Sequence, residues 1–486
     1  MPIFIYNSFT RKKEEFIPLK PPQVNIYTCG VTVYDESHIG HARSLYIFDL
    51  IRKYLEYREY KVRFVRNITD IDDKIINRAK ELKIDWQELV AKYVERYYED
   101  LEALGIQKGD YEPRATENIT DMIKHIEGLI NKGFAYATDS GVYFNVRKFK
   151  DYGKLSGQGI DQMLTGCRIE PDETKHDPLD FALWKRSKPD EPSWESPWSP
   201  GRPGWHIECS VMSQKFLKTD TLDIHAGGRD LIFPHHENEI AQAEALTGKP
   251  FAKYWVHHGL LTINSQKMAK SLGNFITIKD ALKSYHPDVL KLFFLQALYS
   301  SPIDYSEKKM EEVTEYYRSF VLLFREYREN LVKYGEGSLQ EEKKKEIDRE
   351  YREKFIQAMD DDFNTPVALS ILNRAKSDAY SMVVNFSLKD NWGKFQYIIK
   401  MIEELLSSNF GIFTNNADVE TDDRLLSAHA RGLRKTVTQA WIEEMRKKIE
   451  QLRREKKYAQ ADEIKEELKA KGFEVLDKKD GTTEVR

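Results

Sequence analysis

The chain has 486 residues, 41% of them hydrophobic and 32% charged, which supplies a sizeable core and excludes a disordered chain. Its 75 Lys and Arg against 79 Asp and Glu give a net charge of −4, so nucleic acid would be met by local basic patches and not by a polycation. Three cysteines (Cys29, Cys167 and Cys209) exclude a disulfide scaffold and fit a reducing cytoplasm, no apolar run predicts a membrane span, and the first residues lack the order of a secretory signal.

A strand is predicted over residues 24–28, between Pro21-Pro22 and Cys29-Gly30. Residues 31–38 read as a loop. From Ile39 the spacing of Ala42, Leu45, Tyr46 and Phe48 predicts a helix to Tyr57. Residues 61–67 alternate as a second strand, and strand, helix, strand at this spacing is a βαβ unit that implies a parallel sheet. Residues 85–132 read as helical and charged, and 141–146 as a short strand.

Residues 187–204 are Pro-rich, which usually marks a linker. Trp194 and Trp198 argue against that, since a free linker gains nothing by exposing indoles, so an ordered loop packed on the main domain is expected. Strand signals return at 222–225 and 254–261. Beyond Ile278 nearly everything reads as helix, with 335–354 as a charged loop joining or interrupting helices. Ile442, Met445, Ile449 and Leu452 mark one helix face as a bundle core, and Gly472 suits a helix end. A closing hairpin is expected of residues 473–476 and 482–485 around Asp480-Gly481. The expected fold class is α/β: a Rossmann-like parallel-sheet catalytic domain with an insertion, followed by an all-α C-terminal helical bundle.

Two motifs carry phosphate chemistry. His38-Ile-Gly40-His41 sits where the loop after the first strand becomes helix, and a helix N-terminus offers unpaired amides and partial positive charge to phosphate. Gly40 lets the backbone approach a ligand, and the imidazoles can follow phosphate charge into a transition state. Lys267-Met-Ala-Lys270-Ser271 lies in a polar loop whose two ammonium groups can clamp a polyphosphate. Taken alone, each motif reads more readily as an ordinary surface feature; the ordered pair is far more specific.

Together they resemble the paired signatures of class I aminoacyl-tRNA synthetases. YTCGVTVYD, HIGHAR, NITDIDDKII, PSWESPWSPGRPGWHIECS, DIHAGGRDLIFPHHENEIAQ, KMAKSLGN and DDDFNTP, together with residues 458–486, narrow the resemblance to the cysteinyl-tRNA synthetase family over essentially the full length. Ala269 departs from the Ser usual there, with a small effect expected on loop hydrogen bonding. The resemblance implies activation of L-cysteine by ATP and transfer to the 3′ end of tRNA(Cys). His38, His41, Lys267 and Lys270 would be catalytic, and these four with Gly40 and Ser271 would bind ATP. Gly30, Thr69, Trp205 and His225 would bind cysteine.

His235 and Glu239 are four apart in a helical stretch and share a face, while Cys29 and Cys209 stand far apart in sequence. Their spacing alone is more often that of a surface ion pair and two buried thiols. The resemblance assigns all four as ligands of one Zn2+ per chain, implies Mg2+ with the ATP, and leaves Cys167 structural, with His236 and Glu237 on other faces of the helix. The implied organisation is 1–110 first half of the catalytic domain, 111–200 connective insertion, and 201–277 second half with zinc ligands and KMAKS loop. Residues 278–335 would be stem-contact helices, 336–425 a helical bundle and 426–486 the anticodon-binding region.

A cytoplasmic monomer is expected. The basic clusters Arg431/Arg434/Lys435, Arg446/Lys447/Lys448 and Arg453/Arg454/Lys456/Lys457 are candidate tRNA phosphate contacts, or solvated helix faces alternating with Glu450, Glu455 and Glu463. The rival readings are a ligase of the same core that joins cysteine to an amino sugar, which has no use for the C-terminal helices, and a non-catalytic zinc-containing RNA-binding protein, which needs neither phosphate motif.

Overall fold

Alternating apolar residues in two short segments seed the central sheet. The computed structural model describes residues 1–159, 174–269, 272–384, 388–414, 445–455, 457–470, 475–477 and 483–485. They fall into two compact units, Met1–Thr414 and Asn415–Arg486.

In the first unit a small hairpin, β1 (Phe4–Asn7) and β2 (Lys12–Glu15), precedes β3 (Gln23–Thr32). β3 runs past the predicted end at Thr28 through Cys29 and Gly30, with a register shift between Thr28 and Val31. A Cβ on Gly30 would stand 1.5 Å from Asn67 O, so only glycine keeps the two strands this close beyond Cys29. The expected loop therefore shrinks to 33–38. α1 (Ile39–Tyr57) and β4 (Lys61–Thr69) complete the βαβ unit. The predicted helical region at 85–132 is two helices, α3 (Trp86–Ala103) and α4 (Ile119–Asn131), after α2 (Asp73–Leu82); Gly105, Gly109 and Pro113 break it.

β5 (Ala135–Thr138), β6 (Gly141–Phe144), β7 (Phe181–Arg186) and β8 (Gly201–Pro203) form an antiparallel sheet inserted between halves of the parallel one. Trp184 anchors its core, with Phe144 and Phe181 stacked at 5.0 Å. The Pro-rich segment is ordered as expected: Trp194 and Gly201 exchange main-chain hydrogen bonds of 2.7 and 2.9 Å, and Trp198 lies edge-on to Trp184.

The chain then returns through α5 (Trp205–Leu217), β9 (Leu222–Gly228), α6 (Glu237–Thr247) and β10 (Ala252–His258). The four-stranded sheet has the order β10-β9-β3-β4 and is parallel throughout. Tyr27 and His225 are register partners across it, as are His225 and Trp255. Cys29 and the segments 225–228 and 257–258 thus stand toward the carboxyl ends of three neighbouring strands, where open α/β sheets bind ligands.

A second small sheet joins β11 (Leu261–Ile263), β12 (Gln266–Lys267) and β13 (Ile303–Tyr305), with α7 (Ile278–Ser284) and α8 (Pro287–Leu295) between. Helices follow: α9 (Glu307–Tyr334), α10 (Glu341–Ile347), α11 (Glu353–Asp360), α12 (Thr365–Val384) and α13 (Trp392–Phe410). The loop predicted at 335–354 is confined to 335–340, because Lys344–Glu341 and Arg352–Asp348 pairs support helix where charge density suggested a break.

In the second unit residues 445–454 and α14 (Tyr458–Ala470) are helical. Met445 and Ile449 are buried and Leu452 half-buried; Ile442 and Gly472 lie outside the described residues. The final hairpin is present as β14 (Val475–Asp477) paired with β15 (Thr483–Val485). No helix among the described residues is long and apolar enough to cross a membrane.

Candidate active site

His38 is the N-cap of α1. Its Nδ1 accepts from the amides of Gly40 (3.0 Å) and His41 (3.2 Å), and His41 Nδ1 accepts from the His38 amide (3.3 Å). The rings stack at 3.8 Å. Because both Nδ1 atoms accept, the hydrogen-bond pattern assigns the proton of each ring to Nε2. Desolvation, then the charges of His38 and Lys74, push His41 down to about 3, so that ring is neutral at working pH.

The capping also corrects the expectation that the helix amides meet phosphate. Ile39 N donates to Ile276 O (3.1 Å), Ala42 N to His38 O (3.1 Å), and the two between them to His38 Nδ1. The first-turn amides are therefore occupied within the protein.

Lys267 is exposed on β12. Asn274 closes the loop beyond it, donating from Nδ2 to Lys267 O (3.2 Å) and accepting from Ala269 N at Oδ1 (2.8 Å). The bond at residue 269 is main-chain, so it does not depend on a serine hydroxyl there. Lys270, Ser271 and Cys167 lie outside the described residues. The segment after the loop returns to the histidines, with Ile278 N on Ser37 O at 2.9 Å. Met268 Cε is 3.4 Å from where a Cβ on Gly40 would stand.

Beside these motifs the fold brings Cys29, Cys209, His235 and Glu239 together, with one ligand atom of each within 4.8 Å of the others. Cys29 comes from β3, Cys209 from α5, and His235 and Glu239 from either side of the start of α6. His235 Nε2 is 2.9 Å from Glu239 Oε1 and 3.6 Å from Cys209 Sγ. Burial favours neutral groups here, and at Glu239 and Cys209 the neighbours overrule it. His225 and His235 hold Glu239 well below the usual carboxylate range, and hydrogen bonds from Cys29 and His235 bring Cys209 down to about 6. Burial, then Cys209 and Glu239, push the Cys29 thiol up.

A second, overlapping set, Cys29, His225, His236 and Glu239, is equally close. Its presence corrects the placement of His236 on another helix face. Residues 232–236 form a wide π turn with Phe233 extended, so spacing in α-helical steps fails there and His236 Nε2 comes 3.2 Å from Cys29 Sγ. Outer contacts brace the rings: His206 Nδ1 on His235 Nδ1 (2.8 Å) and His257 Nε2 on His236 Nδ1 (2.8 Å). His206, His225, His235, His236, His257 and His258 are half of the chain's 12 histidines, a clustering the sequence displays and motif spacing does not use.

Of the residues expected near cysteine, Trp205 is 37% exposed and stacks on His235 at 4.1 Å. Gly30 N donates to Asn67 Oδ1 (2.8 Å), and Thr69 Oγ1 donates to the buried Glu208 Oε2 (2.7 Å). His225 is fully enclosed, its Nε2 2.6 Å from Glu239 Oε2, so in this structure it reaches the carboxylate. Sequence reasoning passed over Asn67 and Glu208, which are ordinary polar residues until β4 and α5 place them beside the site.

The family model of the tRNA synthetases class I (C) catalytic domain matches residues 15–315, and the DALR domain model matches 354–414. A cysteine–tRNA ligase of Aquifex aeolicus (strain VF5) is 52% identical over 395 residues, covering 78% of this chain and 79% of that one. One of Persephonella marina (strain DSM 14350 / EX-H1) is 46% identical over 495 residues and covers 99% of each. Among solved structures, Mycobacterium tuberculosis methionyl-tRNA synthetase with methionyl-adenylate shares the fold, with a TM-score of 0.62 at 14% identity over 80% of this chain and 92% of that one.

Proposed function

The chain belongs to the cysteinyl-tRNA synthetase family of the class I tRNA synthetases and joins cysteine to tRNA, and from that premise we propose that a zinc ion held by Cys29, Cys209, His235 and Glu239 recognises the substrate thiol. One observation carries the reading: four donors from three separate elements converge within 4.8 Å. Two sulfurs, an imidazole and a carboxylate suit tetrahedral zinc. The overlapping set has one sulfur and suits it less, so His225 and His236 are assigned to steadying Glu239 and Cys29 from outside. Bound there, the ion supplies a contact that sulfur makes strongly and a hydroxyl weakly, where shape alone discriminates by only ~1–3 kcal/mol.

In the first step a carboxylate oxygen of cysteine attacks the α-phosphorus of ATP in line; the bond to pyrophosphate breaks and cysteinyl-adenylate forms. His38 and His41 donate from Nε2 to phosphate oxygens. Lys267 and Lys270 neutralise the departing pyrophosphate, Ser271 binds ATP through its hydroxyl, and Mg2+ accompanies the ATP. Gly30, Thr69 and Trp205 surround the amino acid. In the second step the 2′-hydroxyl at the 3′ end of tRNA(Cys) attacks the activated carbonyl and AMP leaves. The C-terminal basic clusters contact tRNA phosphates, and the enzyme acts as a monomer in the cytoplasm.

The test combines metal analysis with cysteine-dependent ATP–pyrophosphate exchange on one sample. We expect about one zinc per chain, and in Cys209→Ser less bound zinc and a raised KM for cysteine. Unchanged zinc in Cys209→Ser would refute the ligand set. Exchange as rapid with serine as with cysteine would refute the role of the metal.

A further inference from the structure

Arg43 follows His41 on α1 and is fully buried. No carboxylate among the described residues pairs with it. Its guanidinium donates only to main-chain carbonyls: Nη1 to Gly259 O (2.7 Å) and Leu260 O (2.9 Å), Nη2 to Tyr299 O (3.2 Å) and Ser301 O (2.6 Å). Nε has no partner. A buried cation without a counter-ion is expensive, and an apolar side chain would fill the space more cheaply, so the four bonds need a reason.

The acceptors supply it. Gly259 and Leu260 lead directly into β11, and Tyr299 and Ser301 lead toward β13 beside it. The two segments touch: Gly259 N donates to Tyr299 O (2.9 Å), and a Cβ on Gly259 would stand 2.2 Å from the Ser301 carbonyl. β11 continues through β12 into the lysine loop. The far end of that loop is tied to the start of α1 by main-chain bonds, Ile39 N to Ile276 O and Ile278 N to Ser37 O. At the near end Arg43 ties the root of the hairpin to the same helix. Lysine has three donors on one nitrogen and cannot span four carbonyls on two segments as a planar fork does.

We propose that Arg43 is a positioning residue for adenylate formation: its guanidinium fixes the root of the β11–β12 hairpin, and with it Lys267, against the two histidines at the start of α1. The proposal rests on assigning ATP to those two motifs. The wild-type exchange rate reports on that assignment, and the ratio of variant to wild type reports on Arg43.

Arg43→Lys and Arg43→Ala should raise the KM for ATP and lower kcat of cysteine-dependent exchange roughly 10-fold to 100-fold, the penalty of a small misplacement of reacting groups. Bound zinc and the KM for cysteine should stay near wild type, because the cage stands on β3, α5 and α6. Millimolar methylguanidinium should restore part of the rate to Arg43→Ala and none to His38→Asn. Parallel loss of zinc, cysteine affinity and ATP affinity would overturn the proposal, as would wild-type kinetics for ATP in folded Arg43→Lys. Failure of both variants to fold would assign Arg43 to the fold and overturn it equally.

Discussion

His125 and His258 are each 7% exposed and held neutral. Burial pushes both down to about 4, against carbonyl contacts at Gln242 O (3.3 Å) and Gly259 O (2.8 Å) that work the other way. In an unfolded chain a histidine titrates near ~6.5. Above that pH neither state carries the proton and stability is unaffected. Below it the unfolded chain takes up protons that the folded chain refuses, so stability falls down to about pH 4, by up to ~1.4 kcal/mol per pH unit for each group. The urea midpoint should therefore drop between pH 7 and pH 5. His125→Gln, which keeps a donor for Gln242 O and lies outside both motifs and the cage, should flatten that drop; an unaltered slope would remove His125 as its source. At this scale the sequence was legible where a motif is contiguous, as at His38 and His41. Cys29 and Cys209 became legible only through the family resemblance, since folding alone makes them neighbours. His236 was misread because a π turn breaks the helical spacing that placed it.

The first turn of α1 shows how an element serves two purposes. His38 caps the helix through Nδ1 and, with its proton on Nε2, is also the proposed phosphate donor, so substitution separates the two roles. Asparagine caps as well as any residue, while alanine forfeits about 1 kcal/mol. His38→Asn should hold its melting temperature and still lose about 100-fold in exchange, the scale of one lost transition-state donor. His38→Ala should lose both. Equal exchange in wild type and His38→Asn would reduce His38 to a cap. Element boundaries were read well where turn chemistry agrees with periodicity, as at residues 39–57. They were missed where pairing with a neighbour decides: β3 continues past Cys29 because Gly30 admits β4, and 341–347 is helical because its like-charged run is interleaved with partners three residues away.

Over the whole molecule the question is what the second unit contributes. The first unit closes its own core before Thr414: Ile412 and Phe413 are buried, and Phe413 stacks on Tyr317 at 5.0 Å and meets Phe324 edge-on. In the second unit Met445, Ile449, Ala461, Ile464 and Leu468 are buried. Every group assigned to adenylate chemistry lies in the first unit, so a chain ending at Thr414 should fold and retain cysteine-dependent exchange near the wild-type rate. The basic residues 446–448, 453–454 and 456–457 are lost with the second unit. If they meet tRNA phosphates, the truncated enzyme should show a raised KM for tRNA and a shallower dependence of that KM on salt, by about one unit of log–log slope per phosphate contact removed. The ion pairs Arg446–Glu450 and Lys457–Glu455 oppose this, since a side chain already paired releases fewer counterions on binding. Salt dependence is therefore the discriminating measurement. An unchanged slope with weakened transfer would mean that the second unit reads tRNA by shape or base contacts, and loss of exchange together with transfer would make it a folding element of the first.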